Sequence, residues 1–274
     1  MLSTDQLNKY RVDGFLSPLP VLSSVEAGRY RSSLEEFEDA HGLVMKTAFR
    51  NKPHLVFTWV NELMRHPNIL GAVETILGPN ILVWGTNFFI KEPGDETFIS
   101  WHQDSTYWGL STPDVVTAWL ALSPSNIRSG AMKMIPGSHL VDQLPHKDTF
   151  EEKNLLTRGQ VVDWNSQPEA SQLLELNPGE ISLHHVRTVH GSEPNLSADR
   201  RIGLAIRYIP THLRQISGER DYATLVKGED DFDHFIQEPI PEETMGSNEI
   251  EAHKLSASES FKILYRGTGK GVEV

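Results

Sequence analysis

Three residues in two distant segments have the types and spacing of a metal site. His102 and Asp104 lie two residues apart in a strand-like segment, so their side chains would share one face of the strand. His190 ends a second strand-like segment. Two imidazoles and one carboxylate suit a divalent first-row metal and leave coordination positions open for a cosubstrate and dioxygen. Taken alone, the pair of His102 and Asp104 is more typical of a surface salt bridge than of a metal site.

An arginine follows the distant histidine on the next strand-like segment. Arg201 begins an apolar, alternating run that continues to Tyr208. Its planar guanidinium matches a carboxylate with two parallel hydrogen bonds, which a lysine cannot do. Arg201 is therefore well placed to hold the distal carboxylate of 2-oxoglutarate.

The joint spacing resembles the phytanoyl-CoA dioxygenase family of Fe(II)- and 2-oxoglutarate-dependent oxygenases. The similarity covers about residues 4–210. The segments that carry it are Leu7-x-x-Tyr10-x-x-x-Gly14-Phe15, His102-x-Asp104, Ala118–Leu122, Ser129–His139, His190-Gly-Ser-x-Pro-Asn195-x-Ser197 and Arg201.

The resemblance implies a role for each of these residues. It places Fe(II) on His102, Asp104 and His190. It places 2-oxoglutarate on the iron, with the distal carboxylate on Arg201 and a hydroxyl, Ser192 or Thr117, and with Trp119 beside it. The implied reaction uses dioxygen to hydroxylate an unactivated C–H bond while 2-oxoglutarate becomes succinate and carbon dioxide. Related halogenases carry Ala or Gly where this chain has Asp104, so halogenation is disfavoured.

The elements that must position these residues change character along the chain. Helical patterns cover 4–12, 23–40, 55–64 and 67–77, so a helical front occupies 1–80. Short strand-like runs then alternate with Gly/Pro turns at 81–84, 87–91, 115–122, 131–135, 160–162, 180–183 and 202–208. Such strands predict an antiparallel sandwich or barrel over 81–210. The family resemblance implies a double-stranded β-helix, the cupin-like jelly roll.

An acidic extension over 215–274 follows the strands. It is interpreted either as a solvated tail or as an ordered flap over the site. Its aromatic residues favour order, because disordered tails contain few aromatics. No Ser/Gly or Pro linker separates the segments, so one domain is predicted over 1–274.

The substrate would be recognised by side chains around the open face of the metal. The candidates are Asn87, Phe89, Tyr107, Trp108 and Arg207, with Arg50 and Lys52 from the basic segment 46–54. Arg50 and Lys52 suit an anion, although a solvated loop explains that segment equally well. An ammonium group would suit the aromatic rings of Tyr107 and Trp108, or the acidic extension.

These features predict an aminoalkyl phosphonate such as 2-aminoethylphosphonate as substrate, and the chain resembles the bacterial subgroup that oxidises this compound. An amino acid, a compatible solute or a natural product is the alternative within the family. A non-catalytic metal-binding jelly-roll sensor is the alternative of another class.

Composition limits the other possibilities. The formal net charge of −12 argues against a nucleic-acid surface, and the absence of cysteine excludes disulfides and thiolate metal sites. Apolar runs are strand-sized, so the prediction is a cytoplasmic protein without a membrane span, and the oligomeric state stays open. The other histidines are predicted to be surface, cap or strand-end residues: His41, His54, His66, His139, His146, His184, His185, His212, His234 and His253.

Overall fold

Two antiparallel sheets face each other in the computed structural model, which describes residues 1–42, 44–162, 170–217 and 220–269. The larger sheet has the strand order β1-β9-β4-β11-β2-β12-β13, and the smaller has the order β3-β10-β5-β8. The strands are β1 Phe15–Pro20, β2 Ile81–Lys91, β3 Ile99–His102, β4 Val116–Ala121, β5 Met132–Met134, β6 His146–Lys147, β7 Val161–Val162, β8 Gln172–Leu173, β9 Glu180–His185, β10 His190–Ser192, β11 Arg201–Pro210, β12 Tyr222–Lys227 and β13 Ile236–Gln237. All the pairings are antiparallel except that of β12 with β13. This arrangement is the sandwich that the strand pattern predicted, and it has the jelly-roll fold that the family resemblance implied.

Four helices precede most of the sheet. They are α1 Thr4–Asp13, α2 Ser24–His41, α3 Thr58–Met64 and α4 Pro67–Leu77. Ser3 and Ser23 each form a capping box with the residue three positions later, which fixes where α1 and α2 begin. Segment 53–55 forms a separate 3₁₀ turn, so α3 begins at Thr58, later than predicted.

Alternation along the strands separates the core from the site. On β4, Ala118 and Leu120 pack with the helices, whereas Thr117 and Trp119 point to the opposite face. On β11, Leu204 and Ile206 pack with the helices, while Arg201 and Arg207 face the other way. The helices therefore cover one face of the larger sheet, and the face toward the smaller sheet is left for polar chemistry.

Two of the predicted strands form a single strand in the structure. Residues 81–84 and 87–91 belong to the single strand β2, because Gly85 and Thr86 keep their pairing with Arg207 and Ile206 of β11. The ladder continues through Gly85 and Thr86, with a shift of register beside Gly85, where Tyr208 pairs with Val83.

The acidic extension is folded where the structure describes it. Its strand β12 extends the larger sheet beside β2, and a helix, α5 Ser247–Leu264, follows β13. Residues 218–219 and 270–274 of the predicted extension lie outside the described residues. The organisation as one domain over 1–274 remains our proposal. Within the described part of the chain, no helix has the length and apolar character to cross a bilayer.

Candidate active site

The predicted metal ligands meet at the edge of the smaller sheet. His102 ends β3, His190 begins β10, and the two residues are direct cross-strand partners. Their ligand atoms and those of Asp104 all lie within 4.8 Å of one another. The spacing predicted that Asp104 lies on the same strand as His102. In the structure it begins a 3₁₀ turn at 104–107. Gln103 keeps an extended backbone, which leaves the side chains of residues 102 and 104 on one side.

Neighbouring backbone groups orient both imidazoles. Nδ1–H of His102 donates to the carbonyl oxygen of Ser100 at 2.9 Å, and Nδ1–H of His190 donates to that of Thr188 at 2.9 Å. Each ring therefore turns the lone pair of Nε2 toward Asp104, from which the Nε2 atoms lie 3.3 and 4.0 Å away. Fixing the tautomer in this way is how proteins prepare histidines for a metal.

The electrostatics also suit a cation. Burial, with a further contribution from the neighbouring His102, lowers the pKa of His190 to about 4, so this imidazole is neutral near pH 7. Burial alone would raise the pKa of Asp104. The contact with His102 and the nearby His190 and Arg207 outweigh burial and hold that pKa well below its usual range. A neutral imidazole and an ionised carboxylate are the protonation states that bind metal.

A small cavity, the inner cavity, opens beside these ligands between the two sheets. It encloses about 410 Å³, part of it open to solvent. Besides the three ligands it is lined by Phe89, Ile99, Thr117, Trp119, Met132, Leu156, His184, Gly191, Arg201, Ala205 and Arg207. Strands of the jelly roll supply all of these residues except Leu156.

Arg201 is a buried cation without a counterion in this cavity. Its side chain is fully buried, and its guanidinium lies 5.5 Å from the centre of the Trp119 ring. Nη1 donates to the carbonyl oxygen of Gly130, but Nε and Nη2 have no partner, and neither has the hydroxyl of Thr117. Unpaired buried charge is costly, so this arrangement calls for an anion. The distal carboxylate of 2-oxoglutarate fits the two unpartnered nitrogens of Arg201.

Other predicted cosubstrate residues lie in different surroundings. Trp119 forms a wall of the cavity, and its ring lies over Gly203, where an added Cβ would be 1.9 Å from the ring. The hydroxyl of Ser192 accepts a hydrogen bond at 2.8 Å from the buried Lys91, which is the direct strand partner of Arg201. Thr117 lines the inner cavity but pairs with Arg207, six positions along β11 from Arg201, so which of the two hydroxyls joins Arg201 stays a prediction.

A larger space, the outer cleft, adjoins the inner cavity and shares Phe89, Asp104, Leu156 and Arg207 with it. It encloses about 900 Å³, part of it open to solvent. All the predicted substrate residues line it: Arg50, Lys52, Asn87, Phe89, Tyr107, Trp108 and Arg207. Helix α5 supplies another wall through Ala257, Ser260, Phe261 and Leu264. The extension therefore takes part in the cleft, as the flap interpretation predicted.

Two arginines leave the cleft positively charged. Arg50 donates only to backbone carbonyls, at 3.3 Å to Phe88 and 2.6 Å to Leu155, and Arg207 donates to the side chain of Asn87. Neither forms an ion pair with any described carboxylate. Burial lowers the pKa of Arg50 to about 10, with a further contribution from the nearby charge of Arg207, so both guanidinium groups stay charged near pH 7.

The other predicted substrate residues already contact charged groups of the protein. The Nζ atom of Lys52 lies 2.7 Å from a carboxylate oxygen of Glu238. The guanidinium of Arg158 lies 3.7 Å from the centre of the Tyr107 ring, and that of Arg207 lies 4.9 Å from the Trp108 ring. These aromatic rings therefore contact arginines of the protein.

Sequence reasoning missed several buried polar residues. His54 and His253 are buried, so the surface prediction is wrong for them; His54 contacts Glu238, and His253 itself belongs to α5. His184 lines the inner cavity, with Nε2 4.0 Å from Asp104, outside the set of three ligands. Alternation along β9 could have indicated His184, whereas nothing in the local sequence indicates a partner for His54.

Comparisons with known proteins agree with this geometry. The phytanoyl-CoA dioxygenase family (PhyH) matches residues 10–203. A probable alpha-ketoglutarate-dependent hypophosphite dioxygenase of Stutzerimonas stutzeri is 33% identical over 178 residues, which are 63% of this chain and 61% of that protein. The peroxisomal phytanoyl-CoA dioxygenase of Bos taurus is 26% identical over 244 residues, which are 80% of this chain and 72% of the relative.

A solved structure covers almost the whole chain. The non-heme monooxygenase ThoJ, in its apo form, superimposes with a TM-score of 0.84 at 30% identity, over 96% of this chain and 98% of ThoJ. The match thus includes the helical front and the extension as well as the jelly roll. Together with the His-Asp-His cluster, these findings show that the chain belongs to the phytanoyl-CoA dioxygenase family of Fe(II)- and 2-oxoglutarate-dependent dioxygenases.

Proposed function

We propose that the protein hydroxylates a C–H bond of a small anionic molecule, with phosphonates as the leading class and 2-aminoethylphosphonate as the first candidate. Bound Fe(II), together with 2-oxoglutarate and dioxygen, supplies the oxidising power for this reaction. One oxygen atom enters the substrate as a hydroxyl group, and the other enters succinate as 2-oxoglutarate loses carbon dioxide. The protein holds, orients and shields the reactants.

The residues divide these tasks between the two spaces. His102, Asp104 and His190 hold Fe(II), and Arg201, with the hydroxyl of Ser192 or Thr117, receives the distal carboxylate of 2-oxoglutarate. Trp119 fills the space beside the cosubstrate. The substrate occupies the outer cleft. Asp104 and Arg207 line both this cleft and the inner cavity. A molecule in the cleft therefore lies next to the metal ligands.

The observation that carries the substrate class is the pair of Arg50 and Arg207. Both guanidinium groups face the cleft, and neither is paired with a described carboxylate. A phosphonate or another phosphorus oxyanion offers several acceptor oxygens for such donors. The relative named for hypophosphite supports a phosphorus-containing substrate.

The ammonium half of the proposed substrate has a different basis. Asp104 is the one carboxylate among the described residues that line the cleft, and it belongs to the metal site. Arginines contact the rings of Tyr107 and Trp108 that a substrate cation would use. The anionic half of the proposal therefore rests on Arg50 and Arg207, and the ammonium half rests on the sequence resemblance. The cytoplasmic location and the absence of a nucleic-acid partner also remain proposals from the sequence.

Succinate formation tests this proposal. Protein loaded with Fe(II) is incubated with 2-oxoglutarate, oxygen and one compound at a time: 2-aminoethylphosphonate, ethylphosphonate, hypophosphite, an amino acid, ectoine or an aminoglycoside. We expect a phosphonate to stimulate succinate formation and to give a product heavier by one oxygen atom. Equal stimulation by ethylphosphonate would remove the ammonium requirement. Stimulation by an amino acid, ectoine or the aminoglycoside alone would refute the phosphonate class, and no succinate from iron-loaded protein would favour a binding protein.

A further inference from the structure

Glu238 is a buried carboxylate that gathers hydrogen bonds from three segments distant in the sequence. Its side chain is 1% exposed. Oε1 accepts from Nζ of Lys52 at 2.7 Å and from the hydroxyl of Ser256 at 2.6 Å. Oε2 lies 3.0 Å from Nε2 of His54 and accepts from the hydroxyl of Thr224 at 2.7 Å. Because every partner is close, the cost of burying this charge is offset.

The partners of Glu238 belong to adjoining walls of the outer cleft. Lys52 belongs to the wall beside β2, and His54 is linked to that wall by its 2.7 Å hydrogen bond to Thr86. Ser256 belongs to α5, and its neighbour Ala257 lines the cleft. Glu238 itself lines neither the outer cleft nor the inner cavity. It therefore acts on the cleft through the elements that it joins.

A second attachment of α5 leads to the substrate arginine. Nε2–H of His253 donates to the carbonyl oxygen of Asn51 at 2.8 Å. The side chain of Asn51 accepts from Asn87, which in turn accepts from Arg207. The position of α5 is thus connected to one of the two guanidinium groups proposed to bind the substrate.

We propose that Glu238 is a positioning residue that holds helix α5 against the Lys52 segment and so builds one wall of the substrate cleft. In this assignment Lys52 pairs with Glu238 and does not bind substrate. The acidic extension then determines which molecules the cleft accepts, while the jelly roll alone holds the metal and cosubstrate. The kinetic consequence rests on the proposed function, but the placement of α5 does not.

Hydrogen exchange of the α5 amides tests the placement without any substrate. In Glu238→Gln we expect exchange in residues 247–264 to become faster by about tenfold or more, because one side of the network must break, while amides of β4 and β11 keep their protection. Glu251→Gln is the matched control: the residue lies on the same helix with an exposed side chain, and α5 should exchange as in the wild type. Unchanged exchange in Glu238→Gln, or a uniform loss of protection across the sheet, would overturn the proposal.

Ser256→Ala provides the test if Glu238→Gln does not fold. It removes the bond from α5 and leaves the Lys52–Glu238 pair, so faster exchange confined to α5 supports the proposal and unchanged exchange overturns it.

A kinetic experiment measures the Michaelis constants. We expect Glu238→Gln to raise KM for the stimulating phosphonate severalfold and to leave KM for 2-oxoglutarate unchanged. Equal rises in both constants would overturn the positioning role. If no compound stimulates turnover, the proposed function fails while the exchange arm still decides the role of Glu238.

Discussion

The inner cavity and the outer cleft are built from different kinds of structure. The inner cavity takes thirteen of its fourteen lining residues from strands, their ends or the adjoining metal turn, and the pairing of β3 with β10 fixes the metal ligands. The outer cleft adds the segment 50–52, the loop 155–160 and helix α5. Sheet register thus determines where metal and cosubstrate bind, whereas segments outside the central strands determine the substrate. A scaffold that keeps one chemistry can change its substrate by changing those segments.

The two spaces also differ in their charge. Each has guanidinium groups without a carboxylate partner, Arg201 in the inner cavity and Arg50 in the outer cleft, while Arg207 lines both. Arg201 is fully buried and has two unpartnered nitrogens, which suits a single carboxylate. The cleft has a pair of cations in a wider space, which suits an oxyanion with more than two oxygens. If this comparison is correct, Arg201 and Arg50 should each affect one ligand only.

Loss of a metal ligand should have the largest effect, because both spaces depend on the metal. Loss of a residue that hydrogen-bonds to a metal ligand typically weakens metal binding by roughly 10- to 100-fold. Asp104→Ala removes a ligand itself, so it should weaken Fe(II) binding by more than that, and succinate formation should stop. Equilibrium binding of Fe(II) and the succinate assay check this. Asp142→Ala, which changes an almost fully exposed carboxylate, is the control and should leave both unchanged. Normal iron binding by Asp104→Ala would remove this residue from the site.

Arg201→Ala should mainly affect the cosubstrate. Removing one partner of a buried charged pair costs roughly 2–5 kcal/mol, so KM for 2-oxoglutarate should rise by about 30-fold or more. The neighbouring Arg200 pairs with Glu38 and Glu92 outside both spaces, so Arg200→Ala is a matched control. An unchanged KM for 2-oxoglutarate in Arg201→Ala would contradict the role of the inner cavity.

Arg50→Ala should produce the opposite pattern. A hydrogen bond to a charged group contributes about 1.5–3 kcal/mol, so KM for the phosphonate should rise by roughly 10- to 100-fold while KM for 2-oxoglutarate stays the same. Steady-state kinetics with each reactant varied in turn measures both constants. The exposed Arg29, which lines neither space, provides the control variant Arg29→Ala. A rise confined to 2-oxoglutarate would reverse the assignment of the two spaces.

Two glycines on paired strands provide the finest test. A Cβ at Gly203 would collide with the Trp119 ring, so Gly203→Ala should destabilise the fold by about 1–3 kcal/mol and weaken 2-oxoglutarate binding. A Cβ at Gly85 has no atom within 4 Å and would extend into the cleft. Gly85→Ala should therefore leave stability and cosubstrate affinity unchanged and raise KM for the substrate slightly. Denaturant unfolding and both KM values distinguish the variants, and equal destabilisation would refute the contrast.

The sequence predicted the inner cavity better than the outer cleft, for a physical reason. His102, His190 and Arg201 lie on strands whose alternation and turn residues can be read locally, whereas Thr117 and Trp119 were predicted from the family resemblance. The hydroxyl of Ser192 contacts Lys91, which is buried on β2 of the other sheet. That contact depends on which strands become neighbours, which no local pattern specifies.

The outer cleft depends on contacts across the whole chain. Lys52 was predicted to bind substrate, but its partner Glu238 lies 186 positions away. His54 was predicted to be at the surface for the same reason, since the extension that buries it comes last in the sequence. The aromatic residues of the extension indicated order correctly, but composition does not specify where an ordered helix packs.

Binding measurements on two arginine variants test the central claim most directly. Wild-type, Arg201→Ala and Arg50→Ala protein are loaded with Mn(II) so that no turnover occurs, and are titrated by calorimetry with 2-oxoglutarate and then with the stimulating phosphonate. We predict that Arg201→Ala loses affinity for 2-oxoglutarate and binds the phosphonate normally once the cosubstrate is saturating. Arg50→Ala should show the reverse. Loss of both ligands in both variants, or of neither, would contradict the division between inner cavity and outer cleft.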